Sequence, residues 1–197
     1  DGDLDLDILV SSGYNSDIVW LENIDGQGKF SKPKIVASNT TGVSVSHAAD
    51  LNGDGYNDII GALNSSDKLV WYQNQDGLGN FSSEIFIANI SDTVASIFVI
   101  DLDNDGDADI LTTSYLDDST DWYENTDGLG NFSAKKTISN NTNFATDAYA
   151  IDIDGDGDMD VLSASASDNK IAWYENTDGL GSFGAQQIID NNAIGAN

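Results

Sequence analysis

The stretch IDIDGDGDMDVLSASASDNKIAWYENTDGLGSF, Ile151 to Phe183, holds two turn signatures and two strand-length runs, and it returns along the chain with a fixed period. Trp173 has counterparts at Trp20, Trp71 and Trp122, each 51 residues from the next, and Phe183 has counterparts at Phe30, Phe81 and Phe132. Asp7, Asp58, Asp109 and Asp160 keep the same spacing, so four units follow one another without insertion or deletion. In the quoted copy four apolar or β-branched runs fill a unit: Ala148 to Ile153, Asp160 to Ser165, Lys170 to Glu175 and Gln186 to Ile189. Asp-, Gly-, Asn- and Ser-rich punctuation separates them, and helical periodicity is absent. The pattern predicts four antiparallel strands per unit joined by tight turns. One such sheet cannot cover both its faces, and radial stacking can. The expected fold is therefore all-β, a β-propeller whose blades are the repeats at approximately 1–44, 45–95, 96–146 and 147–197. Four full periods would outrun the 197 residues, and the opening of the first unit, matching Val45 to Leu51, is missing. A slice of a larger ring of about seven or eight blades is the expectation, with a longer parent chain or self-association covering the open ends.

Composition narrows the partners. Against 34 Asp and Glu stand seven Lys and no Arg, a formal net charge of -27, so phosphate backbones and anionic bilayer surfaces are repelled. Nucleic acid and membrane insertion are both excluded as roles, the latter because no apolar run approaches the roughly 20 residues of a spanning helix. With 40% hydrophobic residues a packed core can form, and without cysteine neither disulfides nor thiolate chemistry contribute.

The strongest chemical signal is D-x-[DN]-x-D-G-x-x-D. It occurs as Asp50, Asn52, Asp54, Gly55, Asp58, as Asp101, Asp103, Asp105, Gly106, Asp109, and as Asp152, Asp154, Asp156, Gly157, Asp160. Positions 1, 3 and 5 can turn oxygens inward, and Gly at 6 permits the sharp turn. Position 7 (Tyr56, Asp107, Asp158) offers a backbone carbonyl, and position 9 closes the shell with a carboxylate. Oxygen-only ligation in a flexible loop suits Ca²⁺ rather than softer metals. An EF-hand is rejected, because its Glu at position 12 is replaced by Gly61, Thr112 and Ser163 and strands flank the loops. Bare Asp-Gly turns are the simpler alternative, but carboxylates converging without a cation repel one another. In the first unit Asp1, Asp3, Asp5 and Asp7 remain, while Leu4 stands where Gly is expected and strains the turn. Three calcium sites are expected, and a fourth, weakened by Leu4, in the first unit.

These loops, together with the WYENTDGLGNF type of segment, resemble the FG-GAP/VCBS repeat family, calcium-dependent propellers that include the integrin α-subunit head and many bacterial secreted proteins. The resemblance covers the whole chain. It implies calcium-stabilised extracellular or cell-surface blades within longer chains, and no single biochemical activity.

The N-x-D-G-x-G-x-F segments at Asn23, Asn74, Asn125 and Asn176 read as hairpin loops rather than a second ion or glycan site. The tryptophans read as blade-to-blade core. His47, the one histidine, shares its register with Phe98 and Tyr149 and reads as packed rather than catalytic. No carboxylate leaves the repeating scheme with a nucleophile, His or Arg partner, so the chain reads as non-enzymatic. Asp loops and DGxG hairpins fall on one face of a blade. The other face carries the variable loops, where Tyr14, Tyr115, Leu116 and Phe144 are the side chains placed to meet a protein or glycan. Two functions remain: a non-catalytic adhesion or protein-recognition module, or a carbohydrate-binding propeller, alone or as the binding domain of a secreted polysaccharide-degrading enzyme.

Overall fold

The computed structural model describes residues 1–13, 16–40, 42–90 and 93–196. Among them the strands are β1 Ile8–Ser12, β2 Asp17–Leu21, β3 Lys34–Ala37, β4 Val43–Ala49, β5 Asp58–Leu63, β6 Lys68–Tyr72 and β7 Ile85–Asn89. They continue as β8 Val94–Ile100, β9 Asp109–Ser114, β10 Ser119–Tyr123, β11 Lys136–Ser139, β12 Ala145–Ile151, β13 Asp160–Ser165, β14 Lys170–Tyr174 and β15 Gln187–Asp190. Strands pair in sequence order and antiparallel, giving the sheets β1-β2-β3, β4-β5-β6-β7, β8-β9-β10-β11 and β12-β13-β14-β15. These are four-stranded propeller blades, the first built from three strands. Contacts group the blades into two units, Asp1–Ile90 and Ser91–Asn197, each of two blades.

The strand expectations hold in number and order, with shifted ends. The inner strand of the last blade runs Ala145–Ile151 rather than Ala148 to Ile153. Asp152 already belongs to the turn, since its carboxylate accepts the N–H groups of Gly155 and Gly157 at 2.7 and 3.2 Å. Asx chemistry outcompetes the ladder there. Each four-stranded blade has a register shift near the start of its inner strand, at Val43/Val45, Val94/Ser96 and Ala145/Asp147. A second shift lies between the third and outer strands, for example at Leu69/Val70 and Ile171/Ala172. Such bulges add twist at repeated places.

The core lies between blades within each unit. In the second unit Leu102, Leu111 and Trp122 of one blade meet Ala148, Ala150, Val161 and Tyr174 of the next. A large-residue face thus packs on a small-residue face. In the first unit Ile18 joins Val43, Ile59, Leu63, Val70 and Tyr72. Middle strands are covered on both sides, so β5 and β9 are buried along their whole length, while the outer strand β15 is exposed throughout. The expected core tryptophans are placed accordingly: Trp20, Trp71 and Trp122 are buried and Trp173 is half-buried.

Candidate metal centres

Position 9 of each Asp loop is the first residue of a blade's second strand, and its carboxylate works inside the fold. Asp58 accepts the N–H groups of Asn74 at 2.8 Å and Leu51 at 3.2 Å. Asp109 accepts those of Asn125 and Leu102 at 2.8 and 2.9 Å, and Asp160 those of Asn176 and Ile153 at 2.9 and 3.0 Å. One buried carboxylate therefore clips the Asp loop to the DGxG hairpin of its own blade, which places both on one face. Burial outweighs these bonds and pushes the Asp58 carboxyl up to about 6 and that of Asp109 up to about 7.

Backbone donors also shape the earlier positions. Asp50 accepts from Gly53 and Gly55, both at 2.8 Å, and Asp101 from Gly106 at 3.0 Å. Asn52 accepts from Asp54, Asp54 from Tyr56, Asp105 from Asp107, Asp154 from Asp156 and Asp156 from Asp158. The turn glycines Gly55, Gly106 and Gly157 hold φ of 88°, 94° and 101°. Two sets converge: carboxylate oxygens of Asp101, Asp103 and Asp109 lie within 4.8 Å of one another, as do those of Asp152, Asp154 and Asp156. Asp105 and Asp160 stand outside these groups, and the Asp50 loop, with Asn52 at position 3, forms no comparable carboxylate group among the described residues. In the Asp101 loop, Asp101 Oδ1 and Asp103 Oδ1 are buried without a hydrogen-bond partner. Burial and neighbouring Asp105, Glu124 and Asp101 raise the Asp103 carboxyl. Orphaned hard oxygens fit a hard divalent cation.

Position 7 side chains do not join these groups. A Cβ on Gly77 would lie 2.3 Å from the Tyr56 ring, one on Gly128 2.3 Å from Asp107 Oδ1, and one on Gly179 2.5 Å from Asp158 Oδ1. Each residue instead covers the first glycine of its own hairpin. In the first loop Leu4 is fully exposed at φ 75°, the strained conformation expected of it. Asp3 accepts from the Asp5 N–H at 3.1 Å, and Asp5 and Asp1 each keep a buried oxygen without a partner.

The DGxG segments are hairpins. Asn23, Asn74, Asn125 and Asn176 each accept the N–H of the second Gly, at 2.9 to 3.3 Å. Asp76, Asp127 and Asp178 accept the next leucine N–H, and these and nearby hydrogen bonds hold their carboxyls below the usual range. On the variable face Tyr115 and Phe144 form a tilted ring pair 4.1 Å apart, and Leu116 is 64% exposed. Phe144 adopts φ 57° where Gly42 and Gly195 stand in other units. Tyr14 lies outside the described residues.

A carboxylate inside the blades departs from the repeating scheme. Asp121, buried in β10, occupies the register of Val19, Val70 and Ala172, and it accepts Ser119 Oγ at 2.7 Å and Thr137 Oγ1 at 2.6 Å, with Lys135 Nζ at 3.3 Å. Aligning the units at the 51-residue offset would have found it.

FG-GAP-like repeats match residues 1–61, 50–112, 113–163 and 152–197, and the chain belongs to that family. The V. cholerae biofilm matrix protein Bap1, in its crystal structure, matches 94% of this chain with a TM-score of 0.52 at 20% identity. That likeness is one of fold, and this chain spans 28% of the Bap1 chain. No curated protein matches the sequence. Among the described residues no helix is long and apolar enough to cross a membrane.

Proposed function

We propose that the chain is a calcium-stabilised, non-catalytic recognition module of an extracellular or cell-surface protein, working in adhesion. The observation that carries the calcium reading is the pair of buried, unpartnered oxygens on Asp101 and Asp103 beside Asp109. Asp101, Asp103 and Asp109 hold one ion, Asp152, Asp154 and Asp156 a second, and Asp50, Asn52, Asp54 and Asp58 a third, joined by the position 7 carbonyls. Asp105, Asp160 and the weaker first loop extend the set. Bound calcium offsets two of each loop's negative charges and fixes the loop against its hairpin, which presents the opposite loops on rigid blades. Membership of the FG-GAP-like repeats and the fold shared with a biofilm matrix protein support an adhesive setting. Tyr115, Leu116 and Phe144 are the side chains offered to a partner protein. A calorimetric calcium titration with melts in calcium and in chelator tests the reading. Three sites and a large drop in chelator are expected, and no binding with no shift overturns it.

A further inference from the structure

The two units differ at one matched place on their variable faces. In the second unit Asn141, Lys170, Tyr174 and Gln186 close on one another. Gln186 Nε2 donates to Tyr174 Oη at 2.7 Å and to the Asn141 carbonyl at 3.0 Å. Lys170 Nζ donates to the same carbonyl at 3.1 Å and pairs with Asp168 at 2.8 Å, which leaves its side chain 12% exposed. The residues 102 positions earlier are Asn39, Lys68, Tyr72 and Glu84. Glu84 has no N–H to give, so it cannot donate to the Asn39 carbonyl and the phenol together, the plug that Gln186 forms with the Asn141 carbonyl and Tyr174. Lys68, whose neighbour at the Asp168 position is Ser66, swings to Glu84 at 3.0 Å and is 41% exposed.

A groove of about 540 Å³ lies open there, within the size range of small-molecule sites. Tyr72 lines it, is 3% exposed, and its hydroxyl makes no hydrogen bond among the described residues. The ring is packed while the hydroxyl, unpartnered among these residues, opens on the groove, where a ligand can meet it. The rest of the lining alternates short hydroxyl side chains with apolar ones such as Val36 and Leu63. Anions are disfavoured by Glu84 and by the net charge of -27, and cations by Lys68, which already neutralises Glu84. A neutral ligand with adjacent hydroxyls and an apolar ring face satisfies every group: one hydroxyl accepts from Lys68, its neighbour donates to Glu84, and a third meets Tyr72.

We propose that this groove between the first two blades binds a neutral saccharide. The proposal rests on the reading of the chain as a recognition module and adds, in the first unit, a ligand place separate from Tyr115, Leu116 and Phe144. The test is saturation-transfer NMR and calorimetry of the calcium-loaded chain with neutral methyl pyranosides of glucose, galactose, mannose and N-acetylglucosamine. At least one binds saturably. Glu84→Gln recreates the plug and Tyr72→Phe removes the free hydroxyl, and each weakens binding about tenfold or more with the melting temperature kept. Gln186→Glu opens the matching place and raises the stoichiometry from one to two. No binding by any pyranoside overturns the proposal, as does binding that ignores both variants. In the second outcome the recognition reading stands and the site lies elsewhere. An uncharged Ser/Gly peptide that competes equally also overturns the ligand class. Loss of fold in chelator is read separately and reports on calcium alone.

Discussion

Gly79 and Gly181 illustrate how one backbone position can serve two demands. A Cβ on Gly79 would stand 2.2 Å from Trp20 of the preceding blade, and one on Gly181 2.4 Å from Trp122, on backbones already at φ 81° and 78°. Gly157 carries the same kind of φ with nothing within 4 Å. Gly181→Ala should therefore cost about 3 kcal/mol and Gly157→Ala about 1 kcal/mol in calcium-free denaturation. Equal losses would remove the tryptophan contact from the account. Asp58 and Asp109 carry the pH dependence. Their folded carboxyls, at about 6 and about 7, lie above the roughly 3.9 of an unfolded Asp. A raised acid makes its contribution fully at pH below the unfolded value, and that contribution is lost as pH rises through 6 to 7. Calcium needs the ionised form. A titration near pH 6.5 in two buffers of different ionisation heat should thus show net proton release, and buffer-independent heats would contradict it.

At the scale of the loop, the same aspartates have opposite effects with and without metal. Asp103→Asn relieves repulsion from Asp101 and Asp105 in the metal-free protein, so its melting temperature in chelator should rise by about 2–4 °C. In calcium the variant should melt below the parent and bind one ion fewer. A fall in both conditions would mean that Asp103 is a turn residue only. On the variable face Phe144 holds a glycine-type conformation while packing on Tyr115. Phe144→Gly gains about 1 kcal/mol of backbone relief and loses about 1 kcal/mol of ring contact, so stability should stay level while any partner bound through the pair is lost. A clear stability change in either direction, measured by denaturant unfolding, shows that one term dominates.

For the whole chain, electrostatics set the working conditions. A net charge of -27 on 197 residues opposes compaction, and the carboxylates concentrate in the turns. Sodium chloride in chelator should raise the melting temperature by screening, whereas millimolar calcium at constant ionic strength should raise it further, since each site at a hundredfold excess over its dissociation constant contributes about 2.7 kcal/mol. Equal effects of both salts at matched ionic strength would reduce calcium to a screening ion.

The 51-residue period, the alternation of short runs with Asp-Gly turns and the placement of Trp20, Trp71 and Trp122 determined the blades and their strand order from sequence alone. That legibility has a physical source: strand pairing within a blade is local, and each turn is specified by residues that touch one another. The roles of Asp109 and Glu84 were not legible. Position 9 reads as a metal ligand, yet only the fold reveals the two N–H groups, from Leu102 and Asn125, that it clips together. Asp121 stands out of its register in the sequence, but its contacts do not: Ser119 reaches it along β10, and Thr137 and Lys135 reach it from the outer side of the blade. The groove beside Tyr72 arises from Glu84 in place of Gln186, a one-atom change of donor to acceptor whose consequence exists only once two blades face each other. The repeat pattern marks the tryptophans as core, whereas the polar contacts between blades are set by tertiary packing that no local pattern encodes.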